Sequence, residues 1–404
     1  MVRTGNLSAL HRAWRTLPAA PRRRALIAAT SALAPRPAAR PAAPSGVIVA
    51  GELDRPSGLG EQARLALQGL RELGVPCWGA PLSPLPGRKP GLPPEAPPDA
   101  ALLLAVNAPL LPLALLRLGR AALRQRRIIG YWAWELPTLA PEWRPGFRFV
   151  HEVWAPSRFP AAALAPAAAA PPRVVPIPLA IAPPEASNLG RDDFGLPAGA
   201  VVTLVSFSLA SSLERKNPLA AIAAHRTAFG DRADRILLLK IGEPNDFPAD
   251  FAALRAAARG PNIRIETRTL PAADHFALIR AADIVLSLHR SEGFGLVPAE
   301  AMLLGVPVVA TGWSGNMDFM DANAAALIPY RLVPARDPRG VFVAPGAEWA
   351  EASVPDAAAW LTRLAEDPGL RQQIGAAGRA MAAARLGLGG LRAAVAALGI
   401  PCAS

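Results

Sequence analysis

Ser287-Leu288-His289-Arg290-Ser291-Glu292-Gly293-Phe294-Gly295-Leu296-Val297-Pro298-Ala299-Glu300 is a stretch in which a strand hands over to a helix. The run before it, Ala282-Asp283-Ile284-Val285-Leu286-Ser287, reads as a buried parallel strand, and a helical pattern begins near Val297. Two glycines and an acid lie between them. A strand that ends in a Gly-containing turn and feeds a helix gathers free backbone N–H groups and a positive dipole end at one spot, which suits a phosphate. Glu292 before the turn and Glu300 inside the helix flank that anion site with two hydroxyl-seeking carboxylates. An anion so bracketed describes a sugar nucleotide. The plainer reading is a helix-start acid and a surface acid.

Working outward, 404 residues imply two or three domains with room for two sizeable cores. Cys77 and Cys402 form no framework, and the five histidines are scattered singly, so a reducing compartment and no structural metal are expected. The net charge of +12 suggests a nucleic-acid partner until it is located. Residues 1–44 hold eight arginines and no acid, which leaves +4 for everything else. The surplus belongs to a basic Pro/Ala-rich tail, residues 1–45, read as a weak helix and a linker that buries no core. No nucleic acid is expected as a partner. A second acid-free stretch, Ala100 to Trp134, carries Arg117, Arg120, Arg124, Arg126 and Arg127. Basic helices beside leucine-rich faces suit peripheral contact with an anionic membrane, and a solvated helix face fits equally. Ala100 to Leu116 is broken by Asn107, Pro109 and Pro112, too short for the roughly 20 apolar residues of a span. With no export signal read, the expected location is cytoplasmic or peripheral at the inner face of the membrane.

The folded chain is expected to start at the strand Gly46–Ala50, followed by a loop and a helix over Leu59–Leu73. Gly58-Leu59-Gly60-Glu61-Gln62-Ala63 fits a dinucleotide fingerprint, but about seven residues separate its first glycine from the strand, against the tight turn the fingerprint needs. No ribose-binding acid follows Val75-Pro76-Cys77-Trp78 either. Four of the nine tryptophans fall between Trp132 and Trp154, and tryptophan faces make platforms for sugar rings. Trp154 reads as core. Trp132, Trp134 and Glu135, in a loop, read as acceptor-side residues, and Asn107 closes a preceding strand. Prolines 176, 178, 183, 184 and 197 mark an interdomain linker, and a second βα series begins at Val201. Lys216, just before the helix Leu219–Phe229, is placed for a diphosphate. A solvated Glu214-Arg215-Lys216 cap is the plain alternative.

Glu-x7-Glu around Glu-Gly-Phe-Gly-Leu, followed by Gly305-Val306-Pro307-Val308-Val309-Ala310, resembles the retaining glycosyltransferases of family 4, which have the GT-B fold. The resemblance covers about residues 46–400. It implies α/β architecture with two Rossmann-like domains facing a cleft. An acceptor domain spans 46–180 and a nucleotide-sugar domain 198–385, with a C-terminal helix in 386–404 returning to the first. By the resemblance Glu292 touches the transferred sugar, the amides of Gly293, Phe294, Gly295 and Leu296 the diphosphate and sugar, and Glu300 the ribose. Lys216 matches the phosphate clamp, whose usual arginine is absent near Ser211, so Arg215 is the substitute. Ser57-Gly58-Leu59-Gly60 resembles the glycine-rich loop that faces the donor phosphates, and the loop through Arg268 and Leu270 lies beside the base. Where many members carry an N-domain histidine, this chain has Asn107. Trp-x-Trp-Glu-Leu-Pro and Glu-Val-Trp-Ala-Pro-Ser-Arg-Phe are similar to a bacterial mannosyltransferase-like subgroup that builds surface polysaccharides. The implied reaction moves a hexose, with mannose from GDP-mannose the preferred donor, to a glycan or lipid-linked acceptor with retention. The nucleoside diphosphate sugar is a co-substrate. No resident cofactor is expected, and the cationic site without a D-x-D dyad implies metal independence. A non-catalytic nucleotide-sugar-binding or membrane scaffold protein is the alternative.

Overall fold

The computed structural model describes residues 19–82, 90–167 and 172–402. Its frame is two six-stranded parallel sheets whose inner strands are buried aliphatic segments shielded on both faces, as parallel sheets require, while edge strands such as Arg173–Pro176 are half-buried or exposed. The first contains β1 (Val47–Gly51), β2 (Cys77–Pro81), β3 (Ala101–Ala105), β4 (Ile128–Tyr131), β5 (Glu152–Ala155) and β6 (Arg173–Pro176), in the order β2-β1-β3-β4-β5-β6. The second contains β7 (Val201–Ser208), β8 (Arg235–Gly242), β9 (Ile263–Glu266), β10 (Ile284–Ser287), β11 (Val308–Thr311) and β12 (Ala326–Ile328), in the order β12-β11-β10-β7-β8-β9. Strand order reverses between β1 and β3 in one sheet and between β7 and β10 in the other. Ligands of open α/β sheets bind beyond the strand C-termini at such switch points.

The segment between the domains is tied to the second one. Arg191 donates to Asp283 at 2.6 Å and to the Ala200 carbonyl at 2.8 Å. A single hydrophobic cluster runs through both sheets, from Val47 and Leu103 to Leu204 and Met302. The helix Gly389–Ala397 joins it by packing on the first domain's helix Gly58–Glu72. A Cβ added at Gly69 would lie 2.7 Å from Leu391 Cδ2, so glycine is what permits this approach. Pro368–Ala397 is long and apolar enough to cross a membrane by length and composition, with 28% of its window buried, but it divides after Arg385 into two helices packed on the two domains.

Two features depart from the sequence reading. The basic segment does bury apolar surface: its helix Ala19–Leu33 places Ile27 and Thr30 in the interior against the helix Leu111–Leu118 and the 3₁₀ segment Pro141–Phe149. His151 Nε2 and the Ala38 carbonyl, 2.8 Å apart, tie down the proline-rich segment that follows. Residues 1–18 lie outside the described residues. The second departure is an antiparallel hairpin, β13 (Tyr330–Pro334) with β14 (Glu348–Ala352), whose connecting loop reaches over the cleft.

Candidate active site

The cleft between the two switch points contains a cavity of about 600 Å³, large enough for a small ligand. Glu52 and Asn107, beyond β1 and β3, line one side, while Ser206–Ser208 of β7 and Ser287 of β10 line the other. On the second domain's side Lys216 Nζ donates to Glu292 Oε1 and Arg215 Nη1 donates to Glu292 Oε2 at 3.1 Å. Arg215 is 3% exposed; it also donates to the Ser291 carbonyl at 2.7 Å and stacks on the Phe342 ring at 4.9 Å. Ser212 and Asn217, both at positive φ, bracket the one-turn helix Leu213–Lys216 that projects these cations. Non-glycine residues held there store strain, a device common at functional sites.

Burial would raise the Glu292 carboxyl, yet Lys216 and Arg215 hold it at about 2. Burial pulls the Lys216 ammonium below its ordinary value even though Glu292 supports it. Burial also opposes the charge on Arg215, but Glu135 and Glu292 keep it above its usual value. A carboxylate this acidic is a weak proton acceptor, so Glu292 serves as a hydrogen-bond acceptor and a counter-charge.

The turn after Glu292 is built to a narrow tolerance. Gly295 adopts φ 102° and caps the helix Leu296–Leu303, whose first-turn N–H groups lack intrahelical partners. Pro298 brings no N–H, leaving Leu296 and Val297 as donors at the cavity. Ser314 Oγ accepts from the Glu292 amide at 2.9 Å, and the Gly315 amide donates to the Glu292 carbonyl at 2.9 Å. From the first domain, buried Ser157 Oγ donates to the Gly293 carbonyl at 2.7 Å, and Arg158 Nε donates to Asp318 Oδ1 at 3.0 Å. The roles of Ser157 and Ser314 escaped the sequence reading because their partners are remote along the chain, whereas Asp318, the acid of a Gly-x-x-Asp pattern that loosely fits a family Gly-x-x-Glu position, is held by Arg158.

The cavity brings together Gly58, Asn107, Trp134, Glu135, Arg215, Lys216, Glu292, Gly293, Phe294, Gly295 and Leu296. Asn107 Oδ1 accepts from the Ala133 amide at 3.0 Å and so shapes the loop that carries Trp134 and Glu135. Burial lifts the Glu135 carboxyl above its usual range against the pull of Arg215, 3.7 Å away. Trp132 does not reach the cavity: it is fully buried, edge-on to Trp143 and Phe147. Gly60 faces its own loop, where a Cβ would lie 2.5 Å from the Glu52 and Arg55 carbonyls. Arg268 is exposed and paired with Glu266, and Leu270 packs partly on the core; neither lines the cavity. Glu300 stands on the helix behind the lining, 8% exposed, with Oε2 3.8 Å from His275 Nε2. Burial raises Glu300 to about 8 and lowers His275 to about 4, so at neutral pH this is a contact between uncharged groups. Among the described residues no three His, Cys, Asp or Glu side chains cluster to hold a metal.

Residues 164–386, more than half of the chain, match the family model described as family 4 glycosyltransferase in conflict systems. The chain belongs to that family. Among solved structures, this family 4 glycosyltransferase is similar to sucrose-phosphate synthase from Thermosynechococcus elongatus, at 14% identity and a TM-score of 0.64. It is also similar to the Anabaena protein HepE in complex with UDP and glucose, at 16% identity and a TM-score of 0.59. Each match covers 87% of this chain and 98% of the other, and the shared fold is GT-B. A D-inositol 3-phosphate glycosyltransferase from Jonesia denitrificans is 37% identical over 98 residues, 24% of this chain and 23% of the relative. One from Catenulispora acidiphila is 32% identical over 154 residues, 36% of each chain. The glycosyltransferase thus spans about a quarter to a third of the length of the curated relatives it matches.

Proposed function

We propose that this protein transfers a hexosyl group from a nucleoside diphosphate sugar to an acceptor hydroxyl with retention at the anomeric carbon. The observation that carries this is the Arg215–Lys216–Glu292 cluster, set beside a helix N-terminus at the switch point of the second sheet. The bond from the anomeric carbon to the diphosphate oxygen breaks, and its electron pair leaves with the diphosphate. Lys216, Arg215 and the turn amides stabilise that growing charge. Glu292 holds sugar hydroxyls, and the nucleoside extends past the described lining toward Glu300, for the ribose, and the loop through Arg268 and Leu270, for the base. The acceptor oxygen forms the new bond to carbon. Glu135, whose burial makes it the better base of the two cavity carboxylates flanking Arg215, takes the acceptor's proton. The subgroup motifs favour mannose from GDP-mannose and a glycan or lipid-linked acceptor, with contact to an anionic membrane through the acid-free basic helices.

The test is a donor screen that reads GDP, UDP or ADP released by the full chain, with a membrane extract as acceptor source. Release from one donor, dependent on the extract and on Lys216, is expected. Nucleotide-sugar binding without turnover of any donor would instead favour a non-catalytic binding protein.

A further inference from the structure

The helix Ala19–Leu33 lies outside the family-matching region, yet it delivers Arg23 to the lining of the same cavity that holds Lys216 and Glu292. Arg23 Nη2 lies 3.7 Å from Glu142 Oε1 and donates to the Gly340 carbonyl, in the loop of the β13–β14 hairpin. Arg24 Nε adds a 3.3 Å contact to the same Glu142 oxygen. Two residues beyond Gly340, Phe342 stacks on Arg215, so the hairpin loop links the Arg23–Glu142 pair to the cations of the second domain. Trp143, Leu110, Ala140 and Val341 add apolar surface to the lining of the same cavity.

The charges along this cavity are unequally distributed. Arg215 and Lys216 outnumber Glu292 at the donor end, as a diphosphate needs. Among the described residues the first domain's wall presents three lining acids, Glu52, Glu135 and Glu142, and one lining cation, Arg23, already committed to Glu142 and Gly340; Glu52 and Glu135 have arginine partners of their own, Arg55 and Arg215. An acceptor phosphate or carboxylate placed there would meet three carboxylates and, among the described lining residues of that wall, one arginine that is already paired. Hydroxyl and amino groups, in contrast, donate to carboxylates, and a tryptophan beside such groups suits a sugar ring.

We propose that Arg23 and Glu142 form an acceptor-recognition pair, and that this end of the cavity takes a neutral or amino-bearing polyol in preference to one carrying phosphate or carboxylate. The proposal rests on the transferase reading of the cavity and adds its acceptor class. The test measures donor-nucleotide release by the full chain with glucose, glucosamine and glucose 6-phosphate as probes, and UDP and GDP affinity separately. Glucose or glucosamine should accelerate release at least about tenfold more than glucose 6-phosphate, about 1.4 kcal/mol. Arg23→Ala should raise the KM of the neutral probe about tenfold with UDP and GDP affinity unchanged, and Arg23→Lys should recover part of the loss. Glu142→Lys should shift preference toward the phosphorylated probe. Preference for glucose 6-phosphate, an unchanged ratio in Glu142→Lys, or no acceleration by either neutral probe while nucleotide still binds would overturn the acceptor class alone. Failure of the wild type to bind UDP or GDP would remove the transferase reading and this proposal together.

Discussion

At the scale of the residue, Glu292 occupies the two cations that a leaving diphosphate would need. Lys216→Ala should therefore lower nucleotide release about 100-fold or more, the usual loss for one donor to a developing anion. Glu292→Ala should abolish transfer while UDP or GDP affinity is kept or tightened, because Lys216 and Arg215 lose their competing carboxylate. Calorimetric titration separates the two effects, and weaker nucleotide binding in Glu292→Ala would argue against competition. Glu300 has a signature of its own. Its carboxyl sits at about 8 in the fold against 4.5 in an unfolded chain, so between those values the folded state binds more protons and stability falls as pH rises. Glu300→Gln removes that dependence. Its melting temperature should gain on the wild type between about pH 5.5 and about pH 8.5, with a slope of at most about 1.4 kcal/mol per pH unit. Parallel pH curves for the two proteins would show that Glu300 is not strained by burial.

At the scale of the element, the donor turn depends on close backbone contact as much as on side chains. A Cβ at Gly315 would press on the Gly293 carbonyl and lie 2.7 Å from the Phe294 amide nitrogen, both backbone atoms with nowhere to move. Gly315→Ala is expected to cost about 1–3 kcal/mol by overpacking and to lower nucleotide affinity as well; a fully stable variant with normal binding would mean that the turn adapts. This contact also shows what sequence can and cannot convey. β10 and its helix were legible because a short aliphatic run beside a Gly-rich turn has few alternatives. The β13–β14 hairpin was not, since every residue of β13 is exposed or half-buried and no alternation marks a core face. The helix Ala19–Leu33 reads as part of a tail that buries no core for a related reason. Among its described side chains Ile27 and Thr30 are buried, and the surface that covers them lies about 80 or more residues along the chain, beyond the reach of local periodicity. Trp132 and Trp134 are two residues apart in one loop, and only the folded chain shows that the first turns inward and the second toward the cleft.

At the scale of the whole molecule, the cleft is held from several sides. Ser157 and Arg158 of the first domain grip Gly293 and Asp318 of the second, Arg23 reaches the hairpin loop, and the last helix returns to Gly69. The shared hydrophobic cluster joins the two sheets, so they are expected to unfold together despite their separate Rossmann-like topologies. Leu391 is the side chain to probe, because it is 3% exposed, belongs to that cluster and does not line the cavity. Truncating a buried leucine typically costs about 2–5 kcal/mol, from lost transfer energy and the cavity left behind. In the intact protein, calorimetry should show a single transition. Leu391→Ala should lower it and, by loosening the returning helix, divide it into two, with UDP or GDP raising the component that contains Glu292. Two transitions already present in the wild type, with Leu391→Ala moving only one, would mean that the domains are stable separately and that the grip across the cleft, and not the shared core, keeps donor and acceptor walls in register.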